Sequence, residues 1–238
     1  MGFWYRYISS VFISMILCNT SFGQVIENPV FWKAQQPKSI SLQFDNDTYY
    51  YTDYYYTVGI DIDLILPDFS KVPWIKVFPT VSKESEMSSG ISLVQRLYTP
   101  KNIRDTLVQF NDRPFAATLE LDQFAFSLET QSGIEFYTRI RVGIMGPAAG
   151  GEYLQRLIHD WINSPDAKGW DYQIRNGIIL NYDFMVSYPI YYGKSVNFSA
   201  LGSVRAGTLF DDISAGFNFS FGNYRNSDIK KFKYSISL

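Results

Sequence analysis

The chain has 238 residues, enough for one β-barrel domain or two small domains. It carries 21 lysine and arginine residues against 23 aspartate and glutamate residues, and the net charge of −2 excludes the basic surface of a nucleic-acid-binding protein. Hydrophobic residues make up 46% of the chain, yet they are interleaved with polar ones, as strands with two different faces require.

The first 23 residues have the features of an export signal. A basic start with Arg6 is followed by a short apolar run and by small residues ahead of Gln24. This pattern predicts a cleaved signal peptide at residues 1–23 and an exported domain at residues 24–238. A membrane anchor is the alternative, but the apolar run is short for a spanning helix. The single cysteine, Cys18, lies in this leader, so the exported chain would have no disulfide.

Beyond the leader, the main pattern is an alternation of apolar and polar residues that is typical of β-strands. The clearest alternating runs are residues 60–66, 134–144, 196–206, 213–221 and 232–238. Several reach about ten residues, the length of a tilted strand that crosses a bilayer, whereas soluble strands most often have about 5–6.

One face of these runs is apolar, and the other carries small polar residues and arginines, for example Val142 beside Arg141. This predicts an all-β, antiparallel transmembrane β-barrel with an apolar wall around a polar interior. A soluble barrel or sandwich is the alternative, because alternation does not reveal which face is inside. Strand length, the aromatic content and the leader favour the membrane barrel.

The segment "GGEYLQRLIHDWINS" departs from this pattern and has the 3.6-residue period of a helix. It predicts one short amphipathic helix in a loop, with Leu157 and Trp161 on its apolar side and Gln155 and His159 on its polar side. His159 is the only histidine of the chain, and Gln155 lies one turn before it. Histidine is the usual general base near neutral pH, although an incidental role remains the alternative for a single histidine.

The acidic and amide residues near "FDNDT" offer oxygen ligands for a hard cation such as Ca²⁺, or form a solvated turn. A zinc site of the usual kind is not supported, because the exported chain offers one histidine and no cysteine. The G-x-S-x-G motif of serine hydrolases is also absent from the sequence.

Five short motifs occur in the order seen in the outer-membrane lipid A 3'-O-deacylases of the LpxR family, which the chain resembles between Ser41 and Gln173. The motifs are "FDNDTYYYTDYYYTVG", "LYTPKNIRD", "NDRPFAATL", "GIMGPAAGGEYLQRLIHDW" and "KGWDYQ". The resemblance implies a barrel of twelve strands in the bacterial outer membrane, more than the strand candidates found here. It also implies a Ca²⁺-dependent esterase that removes the 3'-linked acyloxyacyl chain of lipid A, the lipid part of lipopolysaccharide. We expect a monomer surrounded by outer-membrane lipid.

Position by position, Asn46 and Asp47 match the active-site pair of the family, and Thr57 matches its threonine. Gln155 and His159 match its glutamine and histidine. By resemblance, His159 would activate a water molecule, and a Ca²⁺ ion near Asp47 would stabilise the oxyanion.

The chain departs from the family at several positions. The family has a glutamate shortly after the histidine, whereas "HDWINSPDAKG" contains none. Phe115 and Ala117 replace the tyrosine and glycine of the Arg-Pro motif. These departures leave two other hypotheses open: a catalytically inactive outer-membrane barrel of structural or porin type, and a soluble periplasmic protein that binds a lipid.

Overall fold

A computed structural model describes residues 38–46, 55–66, 69, 71–193 and 195–221. This part of the chain forms eight β-strands and one α-helix. The strands are β1 (Ser39–Asn46), β2 (Tyr55–Ile65), β3 (Glu86–Thr99), β4 (Ala116–Leu128), β5 (Glu135–Met145), β6 (Gly177–Tyr192), β7 (Val196–Gly207) and β8 (Asp212–Phe221). The helix α1 is Gly151–Ile162, and short 3-10 helices cover Pro73–Val77, Pro147–Ala149 and Trp170–Tyr172. No helix of these ranges is long and apolar enough to cross a membrane.

The eight strands form one sheet in chain order, and every strand is antiparallel to the next. The alternating runs at residues 60–66, 134–144, 196–206 and 213–221 correspond to β2, β5, β7 and β8, which have 10–12 residues. The longest strands, β3 with 14 residues and β6 with 16, were not among the predicted runs. The register shifts once between β6 and β7 near Pro189, which has no backbone N–H to donate to the ladder. The alternating run predicted at residues 232–238 and the predicted signal peptide lie outside the described residues.

The two faces of the sheet differ in the way expected of a membrane wall. On β4, Glu120 and Asp122 are buried on the inner face, whereas Leu121 is 57% exposed on the outer face. On β5, Arg141 is buried and its neighbour Val142 is 52% exposed. A soluble sandwich would bury the apolar rows and expose the charges. The outward orientation of the apolar face, which alternation alone left open, is therefore confirmed.

Buried charges on the inner face are paired between neighbouring strands. Arg141 on β5 contacts Asp183 on β6 (Nε to Oδ2, 2.7 Å) and Glu120 on β4 (Nη1 to Oε2, 3.4 Å). Arg96 on β3 also reaches Glu120 (Nη1 to Oε1, 3.7 Å). Beside these pairs, the rings of Phe124, Phe126 and Tyr137 contact one another, with centroid distances of 4.8–6.3 Å. The inner face at this level is therefore packed with side chains.

We expect Arg141→Met to lower the free energy of unfolding by about 3 kcal/mol, because the substitution leaves the buried Asp183 without its arginine partner and removes one of the two arginines that contact Glu120. Urea unfolding of the protein in detergent, followed by circular dichroism, measures the loss. Arg156→Met is the matched control, because the Arg156–Glu152 ion pair is exposed on α1 and should contribute at most about 1 kcal/mol. Equal losses in the two variants would contradict the prediction.

The connection between β2 and β3 folds back against the outer face of the sheet, which the sequence did not predict. The Val81 backbone N–H donates to Ser127 Oγ on β4 (3.3 Å), and Tyr182 Oη on β6 donates to the Val77 carbonyl (3.2 Å). Ser127 lies six positions from the exposed Leu121 on β4, so its side chain also points to the outer face. It is buried because the connection between β2 and β3 covers it.

Candidate functional site

The predicted site residues that the structure describes lie at one end of the sheet. Asn46 is the last residue of β1 and pairs with Val58 near the start of β2. Helix α1 follows β5 at the same end, within the connection of residues 146–176. Longer connections at one end of a barrel are typical of the extracellular side of outer-membrane proteins.

Helix α1 packs on the outer face of the wall. Leu154 and Ile158 contact a buried cluster that also receives Ile60, Leu119 and Ile144. The core of this cluster is Val58, Leu97, Phe115, Ala117, Ala149 and Trp170. Val58 lies four positions from the exposed Ile62 on β2, and Ala117 lies four positions from the exposed Leu121 on β4. Residues an even number of positions apart on a strand point to the same face, so α1 packs on the outer face.

Glycines allow the close approach of the helix. A Cβ atom on Gly151 would lie 2.4 Å from the Ala117 Cβ and 2.8 Å from Trp170 Cη2, so no larger residue fits there without movement. Gly150, just before the helix, has φ +71°, a left-handed conformation that favours glycine. The Ala117 methyl group, where the family has glycine, occupies the space that Gly151 leaves.

Two polar residues lie on the packed side of the helix. Gln155 is 1% exposed and His159 is 5% exposed. This arrangement differs from an incidental surface histidine, which would be accessible to water on a polar helix face. The polar pair is therefore buried on the side of α1 that also carries Leu154 and Ile158.

Both buried side chains have specific hydrogen bonds. Trp170 Nε1 donates to Gln155 Oε1 at 2.7 Å, and the Trp170 ring packs against Phe115 with centroids 4.9 Å apart. His159 Nδ1 lies 2.6 Å from the Pro165 carbonyl oxygen. In the tautomer with a proton on Nδ1, this nitrogen donates a hydrogen bond to the carbonyl oxygen. Nε2 then keeps the lone pair that a general base requires.

The turn after the helix places the Pro165 carbonyl. Asn163 at the C-cap has φ 54°, and the Ser164 N–H donates to the His159 carbonyl oxygen at 2.9 Å. The chain thereby reverses direction and returns over His159. This partner was not predictable from the sequence, because it is a backbone atom.

Thr57 is buried at a register irregularity between β2 and β3, and its Oγ1 lies 2.7 Å from Thr99 Oγ1. Thr57 precedes Val58, which belongs to the cluster beneath α1 and pairs with Asn46. The backbone thus brings Asn46, Thr57 and the helix to the same end of the sheet. Asp47 lies outside the described residues, and within the ranges that are described no three histidine, cysteine or acidic residues group as a metal site.

Two supporting side chains were not singled out from the sequence. Trp170 lies in the quoted motif "KGWDYQ", so its position was visible, but its bond to Gln155 was not. Gln95 on β3 donates from Nε2 to the Ala149 carbonyl at 2.6 Å and ties the segment before α1 to the wall. A polar residue in a strand has no sequence feature that reveals such a distant partner.

We expect Trp170→Phe to lower the free energy of unfolding by about 1 kcal/mol, because it removes the hydrogen bond to Gln155 and keeps an aromatic ring beside Phe115. Urea unfolding of the purified variant measures the loss. Tyr172→Phe, an exposed neighbour, is the control. If Trp170→Phe unfolds at the same urea concentration as Tyr172→Phe, the bond to Gln155 does not stabilise the site.

Comparison with known proteins agrees with these observations. A family model described as "Outer membrane protein LpxR" matches residues 10–233. The chain belongs to the LpxR family. Among solved structures, LpxR from Salmonella typhimurium is similar, with a TM-score of 0.59 and 24% sequence identity over 74% of this chain. A search of curated proteins found no match.

The comparison confirms the family that the motifs indicated and the predicted fold class, an antiparallel barrel of the outer-membrane LpxR type. The chain covers 56% of the Salmonella typhimurium LpxR chain, so it spans little more than half of that protein. The structure describes eight strands, fewer than the twelve that the resemblance implied.

Proposed function

We propose that the protein is a lipid A 3'-O-deacylase-like esterase of the outer membrane, with lipopolysaccharide as its substrate. Membership of the LpxR family supports a deacylase acting on lipid A. The observation that carries the proposal is the buried pair of Gln155 and His159 on α1, a helix that packs on the outer face of the wall. A site on this face would be reached from the membrane, where the ester bonds of a lipid lie.

In the proposed reaction, His159 Nε2 accepts a proton from water while the water oxygen attacks the carbonyl carbon of the 3'-linked ester. The ester C–O bond then breaks, the proton passes to the departing sugar oxygen, and a free fatty acid is released. The Pro165 carbonyl holds the imidazole ring in the required tautomer at Nδ1. This orienting contact is of the kind that a general base needs.

Gln155, Thr57 and Asn46 are the proposed polar groups around the reacting ester. Trp170 fixes the Gln155 carboxamide through Oε1, which leaves the amide N–H₂ as the donor of that side chain. The Thr57 hydroxyl is held by Thr99 in a buried position. A donor in such a water-poor space stabilises developing negative charge more strongly than it would in water.

A Ca²⁺ ion is proposed as the cofactor. The described residues do not form a cation site on their own, so the proposal depends on Asp47, with the Asn46 amide as a neighbouring oxygen donor. When bound, such an ion would stabilise the negative charge on the ester carbonyl oxygen.

Lipid A mass spectra test the proposal. We expect lipid A from bacteria that express the protein to lose one 3'-linked acyloxyacyl group relative to the same strain without it. An unchanged spectrum, with the protein present in the outer membrane, would overturn the proposed function.

An inactive barrel is the second candidate, because residues 160–169 contain no glutamate. The porin version of this candidate is disfavoured by the inner face, where Glu120, Arg141 and Phe124 are almost completely buried. A water-filled channel would leave such inward side chains accessible. Conductance across planar bilayers tests the porin version, since only a porin would show open channels, and the lipid A spectra separate the esterase from an inactive barrel of either type.

A further inference from the structure

Helix α1 exposes an apolar row on the side turned away from the wall. Tyr153 is 74% exposed, Leu157 is 54% exposed and Trp161 is 84% exposed. These residues are four positions apart, so they lie along one side of the helix. A helix that buries a glutamine and a histidine and exposes a tryptophan is suited to surroundings that are not purely aqueous.

This row is next to the exposed outer face of the wall. Leu119 on β4 and Ile144 on β5 pack beneath the helix and pair with each other in the sheet. Two residues further along each strand, Leu121 and Val142 also pair with each other, and both are exposed. Leu180 on β6 continues this exposed surface beside Val142. The apolar row of α1 and the exposed wall therefore lie on the same side of the sheet.

A second exposed apolar segment lies at this end of the sheet. Leu107 and Phe110 in the connection between β3 and β4 are 70% and 92% exposed. This connection is tied to the segment after α1, because the Lys168 N–H donates to the Ile103 carbonyl at 2.8 Å. Two neighbouring loops thus present large apolar side chains without a partner in the structure described.

The remaining sides of α1 are consistent with a helix at a membrane surface. Arg156 and Glu152 form an exposed ion pair (2.7 Å), and they lie between the buried polar side and the apolar row. Helices with one polar strip and an aromatic and aliphatic strip bind at the boundary between lipid headgroups and acyl chains. Tryptophan and tyrosine are enriched at that depth.

We propose that Tyr153, Leu157 and Trp161 of α1, together with Leu107 and Phe110, dock into the bilayer that surrounds the wall, at the boundary of headgroups and acyl chains. The occupant of this surface is lipid, because the surface is continuous with the outward apolar face of a protein of an outer-membrane family. Lipid contact would hold α1 against the wall. The docking itself does not depend on the proposed esterase activity.

Spin labels on the full chain test the docking. In a Cys18→Ser background the chain has no other cysteine, so Leu157→Cys and Arg156→Cys each provide one labelling position. Both native side chains are exposed, and the two positions point about 100° apart on the helix. The labelled proteins are placed in vesicles of phosphatidylethanolamine, phosphatidylglycerol and lipopolysaccharide. Collision rates with lipid-soluble oxygen and a water-soluble nickel complex are then measured.

We expect the oxygen-to-nickel ratio to be several-fold higher at residue 157 than at residue 156. Equal ratios at the two positions would overturn the proposal. A label at residue 157 that is shielded from both reagents would also overturn it, because a protein partner or a second copy would then cover the row. Circular dichroism confirms that both variants keep their strands, and lipid A spectra of the same variants report separately on the proposed esterase.

Discussion

Lipid A is expected to keep its 3'-linked acyl chains when His159 is replaced by glutamine. The substitution removes the only imidazole of the chain, which is the proposed general base, and the loss of a general base reduces rates by about 10²–10⁴-fold. Glutamine is a good helix former and keeps a polar group near the Pro165 carbonyl, so α1 should stay in place.

The measurement compares the fraction of 3'-deacylated lipid A, by mass spectrometry, in bacteria that express equal amounts of each protein in the outer membrane. Arg156→Gln is the matched control, because it lies on the same helix with its side chain exposed. We expect it to deacylate lipid A as the unchanged protein does. If His159→Gln also deacylated lipid A fully, histidine would not be the base and the proposed mechanism would be wrong.

The fold was largely predictable from the sequence because alternation in long strands is a strong signal. Val142 beside Arg141 on β5, and Ile213 beside Asp212 at the start of β8, both show the predicted contrast of outer and inner face. Alternation does not decide which face is inside. The length of the strands decided in favour of a membrane wall, since a soluble sheet does not need strands of that length.

The site was predictable only in part. The helical period of "GGEYLQRLIHDWINS" predicted a two-sided helix, but the usual expectation for a soluble protein is that the apolar side packs inward. In this chain both predicted sides of the helix are divided. Gln155 and His159 are buried beside Leu154 and Ile158, which pack against the apolar cluster on the wall, whereas Trp161 is exposed. The side that packs depends on the surface that receives the helix, and a local period contains no information about that surface.

The absent glutamate illustrates a second limit. The segment between His159 and Gly169 contains Asp160 and Asp166 but no glutamate, which the family has shortly after its histidine, and this difference suggests a damaged site. In the structure the Pro165 carbonyl, in this same segment, already contacts His159 Nδ1. Orientation of the imidazole ring does not require a carboxylate, because a backbone carbonyl also accepts the Nδ1 proton. The chain thus has an orienting contact for His159 that does not depend on a glutamate.

Removal of Ca²⁺ is expected to reduce deacylation by at least about 10²-fold, since a cation at a developing oxyanion contributes several kcal/mol to transition-state stabilisation. Chelation with EGTA should stop the reaction of the purified protein in lipopolysaccharide-containing vesicles, and added Ca²⁺ should restore it. Asp47→Asn should weaken Ca²⁺ binding, because it replaces the carboxylate proposed as a ligand with a neutral amide.

Asp45→Asn is the control that distinguishes a specific Ca²⁺ ligand from attraction of Ca²⁺ by the negative charge of the segment. Asp45 accepts hydrogen bonds from Gln43 Nε2 (3.1 Å) and Tyr56 Oη (3.4 Å), so its carboxylate is already engaged within the sheet. It is adjacent to the exposed Phe44 on β1, so its side chain points to the opposite face, away from the outer face where α1 packs. Calorimetric titration with Ca²⁺ should therefore show weaker binding for Asp47→Asn and near-normal binding for Asp45→Asn. Equal weakening would mean that the ion is attracted by the charge of the segment as a whole, and activity that resists EGTA would exclude Ca²⁺ from the reaction.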